Sequence, residues 1–514
     1  MNNQVKRALF SVDSLNNIEQ FAIAFQGMGW HIIATAETVK KLQQHDIVVE
    51  DVATFTGVTE NYGFPPTLHP KIETALTLDV SFRIDLVYDI PYPLSKGNDI
   101  GGRTLLALGA KGNRIVVFTF DDMRQVIEEL RQDPNNTNIS DNYRMQLIDK
   151  AHAHIARHYM SLGYRQGEGL CSGLIGTLAL RLMNGENPYQ IPSDLFISEG
   201  QDSLSLHQLQ PQNSNTSCFT NLADTDCILY TLCLAAEAFR LKYKRVPYIA
   251  IAAKHGNPCG MAIDWTSTEE TVFGALWGNP MAIWGGEFIT NFKIDGNLGR
   301  LLYKSEEREK LFGNAHWMLD VVVAPDFDKN ALDILGRSSS RKIFKNSMLY
   351  EPKLLDFNWH YRQVRGGFLR QPSPNYILDI TRVEYDNSQL NGKLLDSLII
   401  AWGIVYSSNH GGNEVALVKD RRLLGVGGGP STVDAAKTAV LRAQASGHDT
   451  MKSVFAADAF FPFTDAPEIL KEAGCCSGIV PSGGKNETLV RKYFQSNDIN
   501  IMYIPAQYRG FCRH

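Results

Sequence analysis

Apolar and polar positions change places in short blocks over residues 5 to about 125, and the blocks predict strands and helices in turn. RALFSV (7–12) reads as a strand, residues 16–29 as an amphipathic helix, and WHIIAT (30–35) as a second strand. ETVKKLQQHD (37–46) is helical, IVVEDV (47–52) is a short strand, and RIDLVYDI (83–90) and NRIVVFT (113–119) are further strands. Strands that alternate with helices imply a parallel sheet with helical cover. Residues 121–161 are helical and polar, interrupted at DPNNTNIS by turn-forming side chains. His152, His154 and His158 in this stretch are expected on a solvated helix face rather than at a metal.

Residues 200–217 are polar and without periodicity, which predicts a loop. A larger α/β region follows, and a second α/β unit begins near residue 390, where the helical LLDSLIIAWGIVY leads to the strand EVALVKD. The expected division is 1–150 as one domain, 151–217 as connecting helices and loop, and 218–514 as a larger region split near 390.

Composition narrows the function. The chain has 514 residues, 44% hydrophobic and 20% charged, which is globular and too long for one core. A net charge of −5 speaks against nucleic acid or an anionic membrane as partner, so an anionic substrate must meet a local basic site. No apolar run reaches the roughly 18 residues of a spanning helix, and MNNQVKRALFSV lacks a signal-peptide core. The eight cysteines form no CxxC pair and no zinc spacing. Reduced thiols in a cytoplasmic protein, with no metal site, are the expectation.

The chemistry concentrates at YIAIAAKHGNPCG (248–260). An apolar strand runs into Lys254 and His255, followed by a Gly-Asn-Pro-Cys-Gly turn. A strand end projects polar side chains into a cleft, and two neighbouring cations depress each other's protonation, so a neutral imidazole beside an ammonium makes a base and an electrophile. A purely structural turn is the competing explanation.

KHGNPCG resembles the KH-x-N-P-C-G motif of the bifunctional AICAR transformylase / IMP cyclohydrolase family. Further collinear motifs resemble the same family: Asn184 to Gln190 (NGENPYQ, with Asn187), Ile283-Trp284-Gly285-Gly286, Asn413 to Gly429, Asp458 to Phe463 (DAFFPF), Pro481-Ser482-Gly483-Gly484 and the terminal Arg513-His514. Thr67-Leu68-His69-Pro70 and Asp99-Ile100-Gly101-Gly102 match its N-terminal TLHP and DIGG. The resemblance spans nearly the whole chain. It implies an N-terminal parallel-sheet domain like methylglyoxal synthase and a larger transformylase region of two related, cytidine-deaminase-like α/β subdomains. It also implies a homodimer. The implied reaction moves a formyl group from the cosubstrate 10-formyltetrahydrofolate to the 5-amino group of AICAR in purine biosynthesis. The family site admits a monovalent cation.

Carried over residue by residue, His255 is the base, Lys254 stabilises the oxyanion or protonates the leaving nitrogen, and Asn413 donates to the same oxygen. Trp284, Gly285, Asp458, Phe460, Phe461, Pro462, Ser482, Gly483, Arg509 and Asn187 fall on substrate- and folate-binding positions. Gly425, Gly427, Gly428 and Gly429 miss the dinucleotide-loop spacing and suggest backbone packed close to a ligand. Tyr92, Asp99, Lys111 and Thr67 fall on the cyclohydrolase site.

Several positions depart from the family. Its nucleotide-contacting Arg-Tyr is Met183-Asn184 here, its motif His is Tyr189, and its glycine-loop Arg is Val433. Arg365, Arg370 and Arg509 are candidate replacement cations. In the N-terminal half the Arg and Lys before TLHP become Phe64 and Pro66, and the phosphate turn reads Thr35-Ala36-Glu37-Thr38. An anion at Glu37 opposes a phosphate. The expectation is a formyltransferase with ring closure weak or absent. The alternatives are a fully bifunctional enzyme, a paralogue formylating another amine, and a non-catalytic nucleotide- or folate-binding protein.

Overall fold

The computed structural model describes residues 5–13, 15–58, 66–164, 168–198, 202–354, 359–385 and 392–510. Phe64, Arg513 and His514, named above, lie outside them. The chain folds as two compact units, Met1–Thr177 with Phe196–Glu199, and Leu178–Leu195 with Gly200–His514.

In the first unit the order is β1 (Arg7–Val12), α1 (Ile18–Gly27), β2 (His31–Ala34), α2 (Ala36–Gln43), β3 (Glu50–Asp51), α3 (Val52–Thr56), α4 (Pro70–Thr77), β4 (Leu86–Ile90), α5 (Ile100–Lys111), β5 (Ile115–Val117), α6 (Phe120–Gln132) and α7 (Asp141–Tyr164). The strands form one sheet in the order β3-β2-β1-β4-β5, every pairing parallel. Ala8, Leu9 and Phe10 of the central strand are fully buried, as a parallel strand covered on both faces requires. IVVEDV contributes only two strand residues, because Asp51 caps α3 by accepting from the Ala53 N–H and turns the chain into a helix.

Helix α7 runs through residue 150, so the boundary expected there falls inside a helix. His152 is exposed, as expected, but His154 and His158 are not on a solvated face. His158 is buried with Nε2 2.8 Å from Asn98 Oδ1. His154 stacks on Phe118, and burial holds its protonation down at about 4.

After β6 (Thr177–Arg181) and β7 (Asp194–Ile197), the second unit contains β8 (Gln210–Pro211), α8 (Phe219–Tyr243), β9 (Tyr248–Lys254), β10 (Asn257–Asp264), α9 (Thr268–Leu276), β11 (Glu287–Thr290), α10 (Gly296–Tyr303), α11 (Glu306–Phe312), β12 (Val321–Ala324), α12 (Lys329–Leu335) and β13 (Lys342–Lys345). A hairpin of β14 (His360–Val364) and β15 (Gly367–Gln371) and the short β16 (Glu384–Tyr385) lead to a second half. That half holds α13 (Gly392–Val405), β17 (Asn413–Lys419), β18 (Arg422–Gly429), α14 (Thr432–Ala445), β19 (Val454–Ala457), α15 (Asp465–Glu472), β20 (Ser477–Pro481), α16 (Glu487–Ser496) and β21 (Asn500–Ile504).

Twelve strands make one sheet, β16-β21-β20-β19-β17-β18-β10-β9-β11-β12-β13-β8. Its two halves share a plan: a long helix, an antiparallel hairpin, then three mutually parallel strands. Both hairpins turn through two residues of positive φ, His255 and Gly256 in one, Asp420 and Arg421 in the other. That is the primed turn whose twist matches the strands. Side chains alternate as strands demand. Ile249, Ile251 and Ala253 join a core under α8 and α13, while Ala250 and Ala252 face α9. Helix α13 is buried from Leu395 to Val405, which explains its nearly unbroken apolar sequence. Among the described residues no helix is long and apolar enough to cross a membrane.

Candidate active site

Lys254 ends β9, and the segment written as a Gly-Asn-Pro-Cys-Gly turn is shorter than expected. Only His255 and Gly256 turn; Asn257 already begins β10, with an irregularity between Pro258 and Gly260. Gly256 is required here: its φ is +69°, and a Cβ would stand 2.8 Å from Cys227 Sγ. Lys254 is half-buried and its Nζ donates to the Gly285 carbonyl at 2.5 Å. His255 is exposed at the turn.

A buried acid pair stands behind this turn. Glu287, 2% exposed, is pushed up to about 9 by burial and then by the nearby Asp224 carboxylate, against the pull of Lys254. Burial also raises Asp224, while His255, Lys254 and hydrogen bonds with Glu287 and the Gly256 N–H lower it.

Among the described residues, two of the cavities along the seam between the halves of the sheet hold sequence-predicted site residues. The first, about 260 Å³, is lined by Lys254, His255, Asn257, Asn279, His410 and Arg442, among others. The second, about 680 Å³, is lined by Asn413, Asp458, Phe460, Pro462, Phe463 and Arg509, among others. Residues 409–413 separate them. The Asn409 N–H donates to Asn257 Oδ1 at 2.8 Å, His410 lines the first cavity and Asn413 the second. Lys254 and Asn413 therefore do not share one cavity. The Asn413 amide Nδ2 is turned to the main chain, donating to the carbonyls of Gly429 at 3.3 Å and Pro430 at 3.1 Å.

The other sequence-predicted residues divide. Phe460 and Pro462 line the second cavity, and the Arg509 guanidinium lies 5.5 Å from the Phe460 ring centre. Asp458 is 1% exposed, accepts from the Glu414 N–H at 2.8 Å, and is raised to about 7, chiefly by burial. Phe461 is not a cavity wall: it is buried against Phe455 and Phe494, because consecutive residues after β19 point to opposite sides. Trp284 is 46% exposed beside Arg308 and lines neither cavity. Gly285 contributes its carbonyl to Lys254.

Ser482 turns its hydroxyl to the Ile504 carbonyl, and the Gly483 N–H is already taken by the Glu487 carboxylate at 2.6 Å. An anion bound at that turn would compete with this chain's own. Asn187 sits in an exposed turn closed by Gln190. Gly425, Gly427 and Gly429 pack against helix α14 rather than a ligand, a Cβ on Gly427 standing 2.3 Å from the Ala439 nitrogen, whereas Gly428 faces His410 and Glu414. Gly425 alone of them reaches the first cavity. Arg365 and Arg370 belong to the β14–β15 segment and line neither cavity, Arg370 lying over the Trp359 ring.

In the first unit Asp99 caps α5 through the Gly102 N–H and also accepts from the Tyr92 N–H at 3.1 Å. The buried Arg103 stands 3.6 Å from Asp99. Thr67 is buried just ahead of α4. Lys111 ends α5, roughly 17 Å along the axis from its start at about 1.5 Å per residue. The structure thus joins Tyr92 with Asp99 and leaves Lys111 at the far end of the helix.

A family model described as AICARFT/IMPCHase bienzyme matches residues 110–442. The chain belongs to this bienzyme family. The match covers β9 and β10, both hairpin turns and the 409–413 loop, so it holds the first cavity entire.

Relatives extend the likeness to nearly full length. The bifunctional purine biosynthesis protein PurH of Chlorobium phaeobacteroides is 26% identical, covering 97% of this chain and 98% of that one. Its counterpart in Aquifex aeolicus is 28% identical over 93% and 94%, and that in Caldicellulosiruptor saccharolyticus 27% over 99% and 100%. All three relatives are described as bifunctional, so the comparisons lend no support to a lost ring-closing step.

Within the family frame, three lining residues escaped the sequence reading. His410 and Asn279 carried no motif, and Arg442 sits in the last turn of α14, where a cation reads as a solvated partner of the helix end. The spacing of His410 and Glu414 across two glycines was the available signal.

Proposed function

We propose that this bienzyme transfers a formyl group from 10-formyltetrahydrofolate to the 5-amino group of AICAR. The observation that carries the reading is the shared cavity of Lys254 and His255, set at a rigid hairpin turn with Arg442 across from them. The acceptor amine is a weak nucleophile, since its ring withdraws the nitrogen lone pair, and attack needs a base at the moment the bond forms. His255 is that base. Lys254, tethered by Gly285, meets the negative charge that develops on the formyl oxygen. Arg442 supplies a local cation for an anionic nucleotide, in place of the family arginines missing at Met183 and Val433.

The second cavity suits the folate. Phe460, Pro462 and Phe463 offer a flat apolar wall, and Arg509 offers a cation at its edge for a carboxylate. Asn413 lines this cavity with its amide held by the Gly429 and Pro430 carbonyls, so it serves the folate side of the site.

A second reading keeps ring closure in the first unit. It is favoured by Arg103, a buried cation beside Asp99 and Tyr92 that partly replaces the charge lost before TLHP. One experiment separates the two. The protein is incubated with both substrates, and tetrahydrofolate and IMP are followed separately. Tetrahydrofolate with formyl-AICAR and no IMP fits transfer alone; IMP formation fits both activities. Absence of tetrahydrofolate release refutes formyl transfer to AICAR.

A further inference from the structure

Formyl transfer has two proton tasks, and with Lys254 committed to the formyl oxygen the roles proposed above fill one. His255 removes a proton from the amine, and the folate nitrogen that departs must receive one. The first cavity holds a second imidazole. His410 is 11% exposed in its side chain, and its Nδ1 lies 2.8 Å from a carboxylate oxygen of Glu414, itself 2% exposed. Glu414 also accepts from the His410 N–H and from the Ser408 hydroxyl, and its own N–H donates to Asp458. The carboxylate is therefore held in place from three sides. It fixes the ring orientation and assigns a hydrogen to Nδ1. Nε2 is then the nitrogen available to a ligand in the cavity that His410 lines with Lys254 and His255.

We propose that His410, oriented by Glu414, is the general acid of the formyl transfer. This rests on the transfer reading above. As the amine nitrogen bonds to the formyl carbon, His255 takes the amine proton. As the bond from that carbon to N10 of the folate breaks, His410 delivers its Nε2 proton to N10. The amine loses one proton, N10 gains one, and exchange of both imidazoles with water restores the starting state. Glu414 balances the ring charge while Nε2 is protonated. The contrast with His255 is geometric: among the described residues no hydrogen bond orients the His255 ring, whereas His410 is oriented by a buried carboxylate.

The test is steady-state tetrahydrofolate release by the full chain and by His410→Ala and His410→Gln, with folding checked by thermal melting. General acid catalysis is worth about 100-fold or more. The expected result is a kcat lower by on the order of 100-fold in both variants with KM for each substrate unchanged, and partial recovery of His410→Ala by added imidazole. Wild-type rates in a folded variant, or a slow variant that imidazole does not rescue, overturn the acid role and leave formyl transfer standing. A wild-type chain that releases no tetrahydrofolate overturns both.

Discussion

The Lys254 ammonium is bonded to the Gly285 carbonyl, so two loops separated by thirty residues of chain hold one cation at the end of β9. On the transfer reading, the tether fixes where positive charge meets the formyl oxygen. A donor placed in advance costs no reorganisation when charge develops, and losing one costs about 2.7–4 kcal/mol in the transition state. Lys254→Met is therefore expected to lower kcat for tetrahydrofolate release by on the order of 100-fold or more. Steady-state kinetics check this, and a near-normal kcat with a raised KM would assign Lys254 to substrate binding instead.

Phe460 and Phe461 are neighbours with separate duties, and substitution is expected to part them. Phe461→Ala removes a ring packed between Phe455 and Phe494, at a cost of about 3–5 kcal/mol of folding stability. Phe460→Ala opens the wall of the larger cavity and leaves that core intact. Its expected signature is weaker folate binding with little change in melting temperature. Calorimetric titration with the folate and a melting curve on each variant give the comparison, and equal losses of stability would contradict the division.

The same pair shows what the sequence could reveal. Alternating strands and helices announced the parallel sheet of the first unit, because period and turn chemistry are local properties. The apolar run of α13 and the strand after it were legible for the same reason. DAFFPF did not disclose which phenylalanine faces a ligand, since that depends on the direction in which the chain leaves β19. Gly483 falls on a binding position of the family, and its N–H is occupied by Glu487 only after α16 has folded. His410 and Arg442 converge from a loop and a helix that only the sheet brings together. Motifs marked Lys254 and His255; the cavity around them was a tertiary fact.

Arg442 and Arg509 each present a cation to a different cavity. A hydrogen bond to a charged group contributes about 1.5–3 kcal/mol, or roughly 10- to 100-fold in affinity. Arg442→Gln is expected to raise KM for the nucleotide by about that factor and spare the folate, and Arg509→Gln to do the reverse. Measuring both constants in both variants tests the assignment, and a uniform rise in both would undo it.

Glu287 ties the site to the stability of the protein. In the unfolded chain this carboxyl ionises near its ordinary 4.5, whereas burial in the folded state lifts it to about 9. Between those values the native state holds a proton that the unfolded state has released. Unfolding then loses a proton, so its free energy falls as pH rises. The contribution is fully present below the ordinary value and is lost as pH climbs through about 9. Glu287→Gln keeps the shape of the neutral acid and cannot ionise, so the variant is expected to lose less stability than the parent as pH rises from 4.5 to about 9. Urea unfolding across that range reads the difference directly. Parallel curves for the two proteins would mean that Glu287 is already ionised beside Lys254 at neutral pH, and the acid behind the hairpin would then pair with that lysine.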